Sequence, residues 1–469
     1  MEPGLRAGIA RTDITPPIGI AHAGWGAQTH QRAVGVDLPF WATALALSDG
    51  NETVILIDLD QSYLWEPEVY DVQQAVAALT GLAVSHIRLS YTHTHSGPVN
   101  GAGLSAWFTE GVDMVRQYEQ SLPHKLAGVA WAALNNLQPA RLVAGQGACN
   151  IGVNRRFQRP EDGAVIVGLN WDGVVDPQIK LIRIDTQAGQ PLAAIVNYAC
   201  HPTTVGPDSN LLTPDYPGVT RRVVEDATGA TCLFLQGAAG NIGPVRGTAR
   251  GGLAEYRRLG TILGLAASRL WWELDSRPRR EVYVGTLESG APLALYDIAY
   301  IEEPDQRLRV GTRDMHLPLK ALPAPEPLEA EAQQHAARLE ALRSAGASSQ
   351  EIRDETMLSK RTWMRAGLAR QLYGQTERVL QAQAFVIGRD IALVAIPGEP
   401  FAEIGMAVKR ASPFEHTLFS GYSNAGWAYI PTPEAYPLGG YEVEITPFTP
   451  EAAGLIVANC LSLLRELAG

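Results

Sequence analysis

The chain has 469 residues, 46% of them hydrophobic, with 38 Lys+Arg against 49 Asp+Glu and a formal net charge of −11. This length accommodates one large domain or two fused ones, with enough core to need no staple. An acidic balance spread along the chain argues against a nucleic-acid or anionic-membrane partner, either of which calls for clustered Lys/Arg; the one basic patch, Arg277-Pro278-Arg279-Arg280, reads as a solvated loop.

Thr53 to Asp60 is an apolar strand ending in acids, a helix follows from about Glu66 to Leu79, and His86 to Tyr91 is a second strand. The alternation recurs with Ala193 to Ala199, a helix after Pro217, and Cys232 to Leu235. This pattern predicts an α/β (or α+β) fold: a mixed, largely parallel sheet flanked by helices, with sites at the strand C-termini. Farther on, Glu281 to Leu287 and Leu293 to Ile301 read as antiparallel strands. Residues 325–380 are rich in Ala, Glu, Gln and Arg and read as a helical insertion of two antiparallel helices, broken near Gly346-Ala347-Ser348-Ser349. Strand character resumes at Ala392 to Ile396, and a helix from about Pro450 to Leu467 closes the chain, with Thr449 as its N-cap. No repeat or low-complexity tract intervenes, so residues 1–469 are expected to form a single domain.

Cys149, Cys200, Cys232 and Cys460 are widely separated and show no CxxC spacing, as expected of buried thiols in a reducing compartment. The start, Met1 to Arg6, lacks the apolar segment of a signal peptide, and no run approaches the ~18 apolar residues of a membrane span. A cytoplasmic protein is the expectation, or a secreted one if a leader has been removed; its oligomeric state is left open.

The strongest chemical signal is Tyr91-Thr92-His93-Thr94-His95-Ser96-Gly97-Pro98, directly after a strand. Two histidines at i and i+2 on a strand point the same way, and neutral imidazole is a common zinc ligand, so the pair can bind one metal or bind it and aid catalysis. Tyr198-Ala199-Cys200-His201-Pro202-Thr203-Thr204 is a polar cluster after another strand, and alone a His-Pro in a turn is more often structural. Glu399 sits in the turn Pro397-Gly398-Glu399-Pro400, where a helix N-terminal acid is the plainer reading. Residues 421–441 gather Tyr422, Tyr429, Tyr436 and Tyr441 among glycines and prolines, either as packing or as a pocket wall. Trp25, Trp107, Phe108 and Trp427 are further candidates for an apolar wall.

Taken together these segments resemble the neutral/alkaline non-lysosomal ceramidase family, from Gly8-Ile9-Ala10-Arg11-Thr12-Asp13-Ile14-Thr15-Pro16-Pro17 through Thr92 to Pro98 and Cys200 to Thr204 to Tyr429-Ile430-Pro431-Thr432. The resemblance implies one Zn2+ held by His93, His201, Glu399 and Tyr429, with His95, Arg155 and Tyr441 as catalytic groups contacting the substrate. Two departures stand out. Gly243, in Gln236-Gly237-Ala238-Ala239-Gly240-Asn241-Ile242-Gly243-Pro244, occupies the place of the family's proposed nucleophilic serine, and the chain ends in a helix where the family carries a C-terminal β-sandwich.

The resulting expectation is a zinc-dependent hydrolase that cleaves an N-acyl amide by attack of metal-bound hydroxide on a partly apolar small molecule. A zinc-dependent esterase, lactonase or phosphoester hydrolase is the alternative within enzymes, and a metal-stabilised non-catalytic binding protein the alternative outside them. Asp215, before the helix at Pro217, is expected to orient a neighbour or to cap that helix.

Overall fold

Eight strands form the main sheet of the computed structural model, in the order Thr231–Gln236, Pro191–Tyr198, Gln178–Thr186, Gln138–Ala148, Arg6–Asp13, Trp41–Ser48, Thr53–Leu59 and Ile87–Tyr91. The structure describes residues 4–22, 24–99, 108–246, 251–301 and 305–469. The mixed α/β class holds, but the largely parallel sheet does not. Only the two outermost pairs are parallel, each through a helical crossover, Asp215–Thr228 at one end and Glu66–Thr80 at the other. The five junctions between them are antiparallel, and Trp41–Ser48 and Thr53–Leu59 are joined by a four-residue turn too short for a crossover.

One face of this sheet is covered by helices, chiefly Val112–Asn135 and Leu253–Glu273. The other face packs on a second, four-stranded sheet ordered Leu308–Pro318, Glu377–Ile387, Ile391–Ala395 and His416–Ser420. Leu45, Leu56, Ile182 and Leu233 meet Phe385, Leu393 and Leu418 between the sheets. Arg88 is buried in that contact and donates to the side chain and carbonyl of Gln383 and the carbonyl of Leu393, at 2.9–3.0 Å. Ala402–Ala411 and Glu451–Ala468 back the second sheet, making four layers.

The helical stretch is a hairpin of Pro325–Ser344 and Ser349–Leu372, started on its second helix by a Ser348/Glu351 capping box. Its helices stop short of 380, since the strand from Glu377 claims Leu380 for the core. Thr449 is not the final helix's cap: Pro450 holds that position in a helical conformation and no side-chain cap is made. All four cysteines are buried and unbridged. Among the described residues no helix is long and apolar enough to cross a membrane.

The main sheet curls until its two edges, Thr231–Gln236 and Thr53–Leu59 with Ile87–Tyr91, lie side by side. Asp58 closes this seam: one carboxylate oxygen accepts from the Phe234 backbone N–H at 2.8 Å and from Arg221 at 2.9 Å. Arg221 also grips Asp60, which accepts the backbone N–H of Trp41 at 2.9 Å. All three charged side chains are fully or almost fully buried, and burial pushes the Asp58 carboxyl up to about 6 despite the neighbouring guanidinium. Arg221→Met strands two buried carboxylates, so it is expected to lower the unfolding free energy by about 3–5 kcal/mol in urea titrations. A loss no larger than that of the exposed control Arg159→Met would show that the seam does not depend on this cation.

Candidate metal centre

The parallel pairs at the two ends of the sheet put the C-termini of Ile87–Tyr91 and Pro191–Tyr198 at the same end of the seam. His93 leaves the first and His201 the second. The strand reading of the histidine pair needs correction, because the strand stops at Tyr91. His93 has φ +66°, a left-handed conformation costly for a residue with a Cβ, and its N–H bonds the carbonyl of Gln61 at 2.9 Å. The rings of His93 and His95 therefore converge through a turn, not through strand alternation.

Each of three imidazoles is fixed from behind by a backbone carbonyl. Nδ1 of His93 meets the Ser62 carbonyl at 2.9 Å, Nδ1 of His95 that of Gly24 at 2.8 Å, and Nδ1 of His201 that of Ala239 at 2.8 Å. A carbonyl only accepts, so Nδ1 is the protonated nitrogen in every ring and each neutral ring turns an unprotonated Nε2 inward. Burial, and then the charge of Arg155, lower His201 to about 4; burial, and then His93 and His201, hold His95 well below its ordinary value. Yet the Nε2 atoms lie 3.1 Å apart for His93 and His201 and 3.3 Å apart for His93 and His95. Lone pairs facing one another at that distance repel unless a cation lies between them.

Glu399 adds a negative charge to the same point. One of its oxygens is 3.3 Å from Nε2 of His201 and 3.5 Å from Nε2 of His93, and it is buried without a hydrogen-bond partner among the described residues. Inward-facing imidazole nitrogens and an orphaned carboxylate oxygen suit a transition-metal cation, and the residues present fit one. His93, His95 and His201 have their ligand atoms within 4.8 Å of one another.

The other expected residues line one side. Tyr429 pairs with Glu399 in a short parallel bridge, and its ring lies parallel to that of His201 with centroids 6.3 Å apart. Burial raises its phenol well above the ordinary value. Arg155 lies over the Tyr429 ring, its Cζ 5.2 Å from the centroid, while Nε donates to Glu442 at 2.9 Å and Nη2 has no partner among the described residues. Tyr441 meets Tyr429 edge-on at 5.6 Å and is 38% exposed, which puts it at the mouth.

Gly243 sits in a strand paired with Val153, where a Cβ would touch that of Arg155 at 3.4 Å. Its loop still serves the centre: Ala239 holds His201, and a Cβ on Gly240 would come within 2.4 Å of the Glu399 carbonyl, so only glycine lets the loop dock there. Asp215 begins its helix at φ +57° and accepts the N–H groups of Thr204 and Val205 at 2.9 and 3.0 Å, fixing the segment after His201.

Of the candidate wall, Trp25 reaches the centre, 5.4 Å from the His95 ring, and Phe108 is buried in the core. Trp427 donates its indole N–H to Glu66 and lies under Arg378. Trp107 lies outside the described residues.

Tyr422, one of the clustered tyrosines of residues 421–441, packs on His93 at 4.2 Å. Other participants escape sequence reading. Glu442 binds both Arg155 and Arg156, and its signal was available as a buried acid beside Tyr441. Lys360, on the second hairpin helix, is buried and donates to the carbonyls of Trp25, Gly26 and Gln28 at 3.3, 3.4 and 2.7 Å. It thereby fixes the loop whose Gly24 carbonyl orients His95.

Residues 5–241 match the model of the family described as neutral/alkaline non-lysosomal ceramidase, N-terminal. A neutral ceramidase of Pseudomonas aeruginosa is 25% identical over 98% of this chain and 72% of its own length. Neutral ceramidase A of Dictyostelium discoideum is 28% identical over 36% of this chain and 24% of its own. The crystal structure of the Pseudomonas aeruginosa neutral ceramidase superposes with a TM-score of 0.69 at 20% identity, covering 99% of this chain and 75% of that one. His93, His95, Arg155 and His201 fall within the family-model segment; Glu399, Tyr429 and Tyr441 lie beyond it.

In metal-free protein near neutral pH, 15N-edited NMR is expected to find all three histidines protonated at Nδ1. Lys360→Met is expected to disturb the His95 ring signals while leaving His93 and His201 in place. Three sets of shifts moving together, or none moving, would break the link from Lys360 through Gly24 to His95.

Proposed function

This chain belongs to the neutral/alkaline non-lysosomal ceramidase family and is a hydrolase, and we propose that it cleaves N-acyl amide bonds with the help of a zinc ion held by His93, His201, Glu399 and Tyr429. The observation that carries the reading is the meeting of carbonyl-fixed, unprotonated imidazole nitrogens with the partnerless oxygen of Glu399. The relatives' names supply the bond type. We also take residues 1–469 as one catalytic domain, with the helical hairpin of residues 325–372 inserted in it.

A zinc ion, when bound, lowers the pKa of a coordinated water from 15.7 to roughly 7 and polarises a carbonyl oxygen. The chain's own residues supply the rest. His95 is neutral and locked by Gly24, so its Nε2 is ready to take a proton from the attacking water and return it to the leaving nitrogen. Arg155, held by Glu442, offers Nη2 to the carbonyl oxygen as negative charge builds on it. Tyr441 offers its hydroxyl to the substrate's polar groups at the mouth, and Trp25 gives that substrate an apolar wall. With glycine at 243, this loop has no side chain to form an acyl-enzyme, so water attacks directly.

His95→Ala is expected to keep one equivalent of zinc by elemental analysis and to lose roughly 10²–10⁴-fold in turnover of N-acyl amides. Loss of the metal with the activity would make His95 a ligand instead. Dialysis against a chelator is expected to abolish amide hydrolysis and one equivalent of zinc to restore it, with no acyl adduct in intact-protein mass spectra. Undiminished activity in fully demetallated protein would refute the metal role, and a trapped acyl-protein would refute direct attack by water.

A further inference from the structure

The strands Arg279–Leu287 and Leu293–Tyr300 form a two-stranded hairpin and, among the described residues, pair only with each other. A lone hairpin is at best marginally stable in water, and its free edges are templates for another strand. This one is apolar on both faces. Val282, Tyr283, Val284, Leu287, Leu293, Leu295, Tyr296, Ile298, Tyr300 and Ile301 are each 38–57% exposed. With such large side chains half uncovered, the hairpin presents on the order of 1,000 Å² of apolar surface. That exceeds the roughly 300–600 Å² of the largest patch on a typical monomer and matches the ~800 Å² a partner contributes to a standard interface.

Its charges select the partner. Arg279 and Arg280 open the first strand, and Glu288 follows its last residue. If that strand pairs antiparallel with its own copy about a two-fold axis at its bulge, between Tyr283 and Val284, counting outward from the axis sets Arg279 of each copy opposite Glu288 of the other. Arg280 then faces Leu287, and Tyr283 faces Val284. Parallel pairing would set like charges together. With Glu281, Glu288 and Asp297 against two arginines, the hairpin has no excess of positive charge to offer an anionic membrane.

We propose that this hairpin is a dimerisation arm whose partner is the same hairpin of a second copy, joined through the edge strand Arg279–Leu287. Two-fold pairing suits it because one patch serves both sides. Arg277, stacked on Tyr300 with its Cζ 3.5 Å from the ring centroid, and Arg279, paired with Asp275 at 3.2 Å, stiffen the base of the arm.

Light scattering on the full chain at micromolar concentration is expected to give twice the 50.5 kDa chain mass. Val284→Asp is expected to raise the dimer dissociation constant by roughly 30-fold or more with an unchanged circular dichroism spectrum. Glu288→Arg is expected to weaken the dimer, and Arg279→Glu combined with Glu288→Arg to restore it. A monomeric wild type overturns the proposal, as does a monomer that floats with phosphatidylcholine vesicles, which would assign the arm to a lipid surface. A dimer indifferent to all three variants also overturns it, since the interface would then lie elsewhere.

Discussion

Asp58 receives a backbone N–H from the far edge of its own sheet, and that single acceptance organises the molecule. His93 leaves the edge strand Ile87–Tyr91, whereas His201 leaves Pro191–Tyr198, the strand next to the opposite edge, and the Asp58 contact joins those two sides. With it, the edges meet and the two ring nitrogens come within 3.1 Å. The Asp60 carboxylate held by the same guanidinium also reaches Thr92, at 3.3 Å, the residue before His93. A buried ion cluster is a poor source of net stability, but it fixes which strands adjoin, and here that choice places the centre.

The strain in the fold gathers at the same place. Among the described residues, the non-glycine residues with left-handed backbone are His93, Asp215, Tyr422 and Asn424. His93 supplies a ring, Tyr422 packs on it, and Asp215 pins the segment after His201. Asn424 takes the Leu89 N–H on its side chain at 3.1 Å and bonds the Leu89 carbonyl through its own N–H at 2.8 Å, tying the tyrosine-bearing loop to the strand that leads to His93. Each such conformation costs of order 1–3 kcal/mol and persists only where surrounding contacts over-determine it. The carbonyl bonds behind the rings and the closed seam are those contacts.

Much of this was legible in the residues and some was not. The strands at 53–59, 87–91 and 191–198 follow from apolar runs bounded by polar ends, and the histidine motifs advertise themselves by composition. The helices Val112–Asn135 and Leu253–Glu273, and the curling of the sheet, were not apparent. A local pattern reports which face of an element is buried and says nothing of which distant strand will lie beside it. Alternation of strands and helices near the two crossovers suggested a mixed but largely parallel sheet, whereas the middle five junctions are antiparallel. Lys360 was invisible for another reason. It sits in a polar, Arg-rich helical stretch where a lysine ordinarily faces solvent, and only tertiary packing turns its ammonium toward three carbonyls. The carbonyls of Gly24, Ser62 and Ala239 have no side-chain signature at all, although they decide which nitrogen each histidine presents.

The base of the exposed hairpin is a single narrow join to the body. The N–H of Ile301 bonds the carbonyl of Pro278 at 2.9 Å, so the segment leaves and re-enters the body at almost one point. A segment with touching ends can be gained or lost in a single genetic event without shifting the register of either sheet. Self-association through the arm and hydrolysis at the centre are therefore structurally separable: the arm joins the body at that one point, and the carbonyl-locked imidazoles lie outside it.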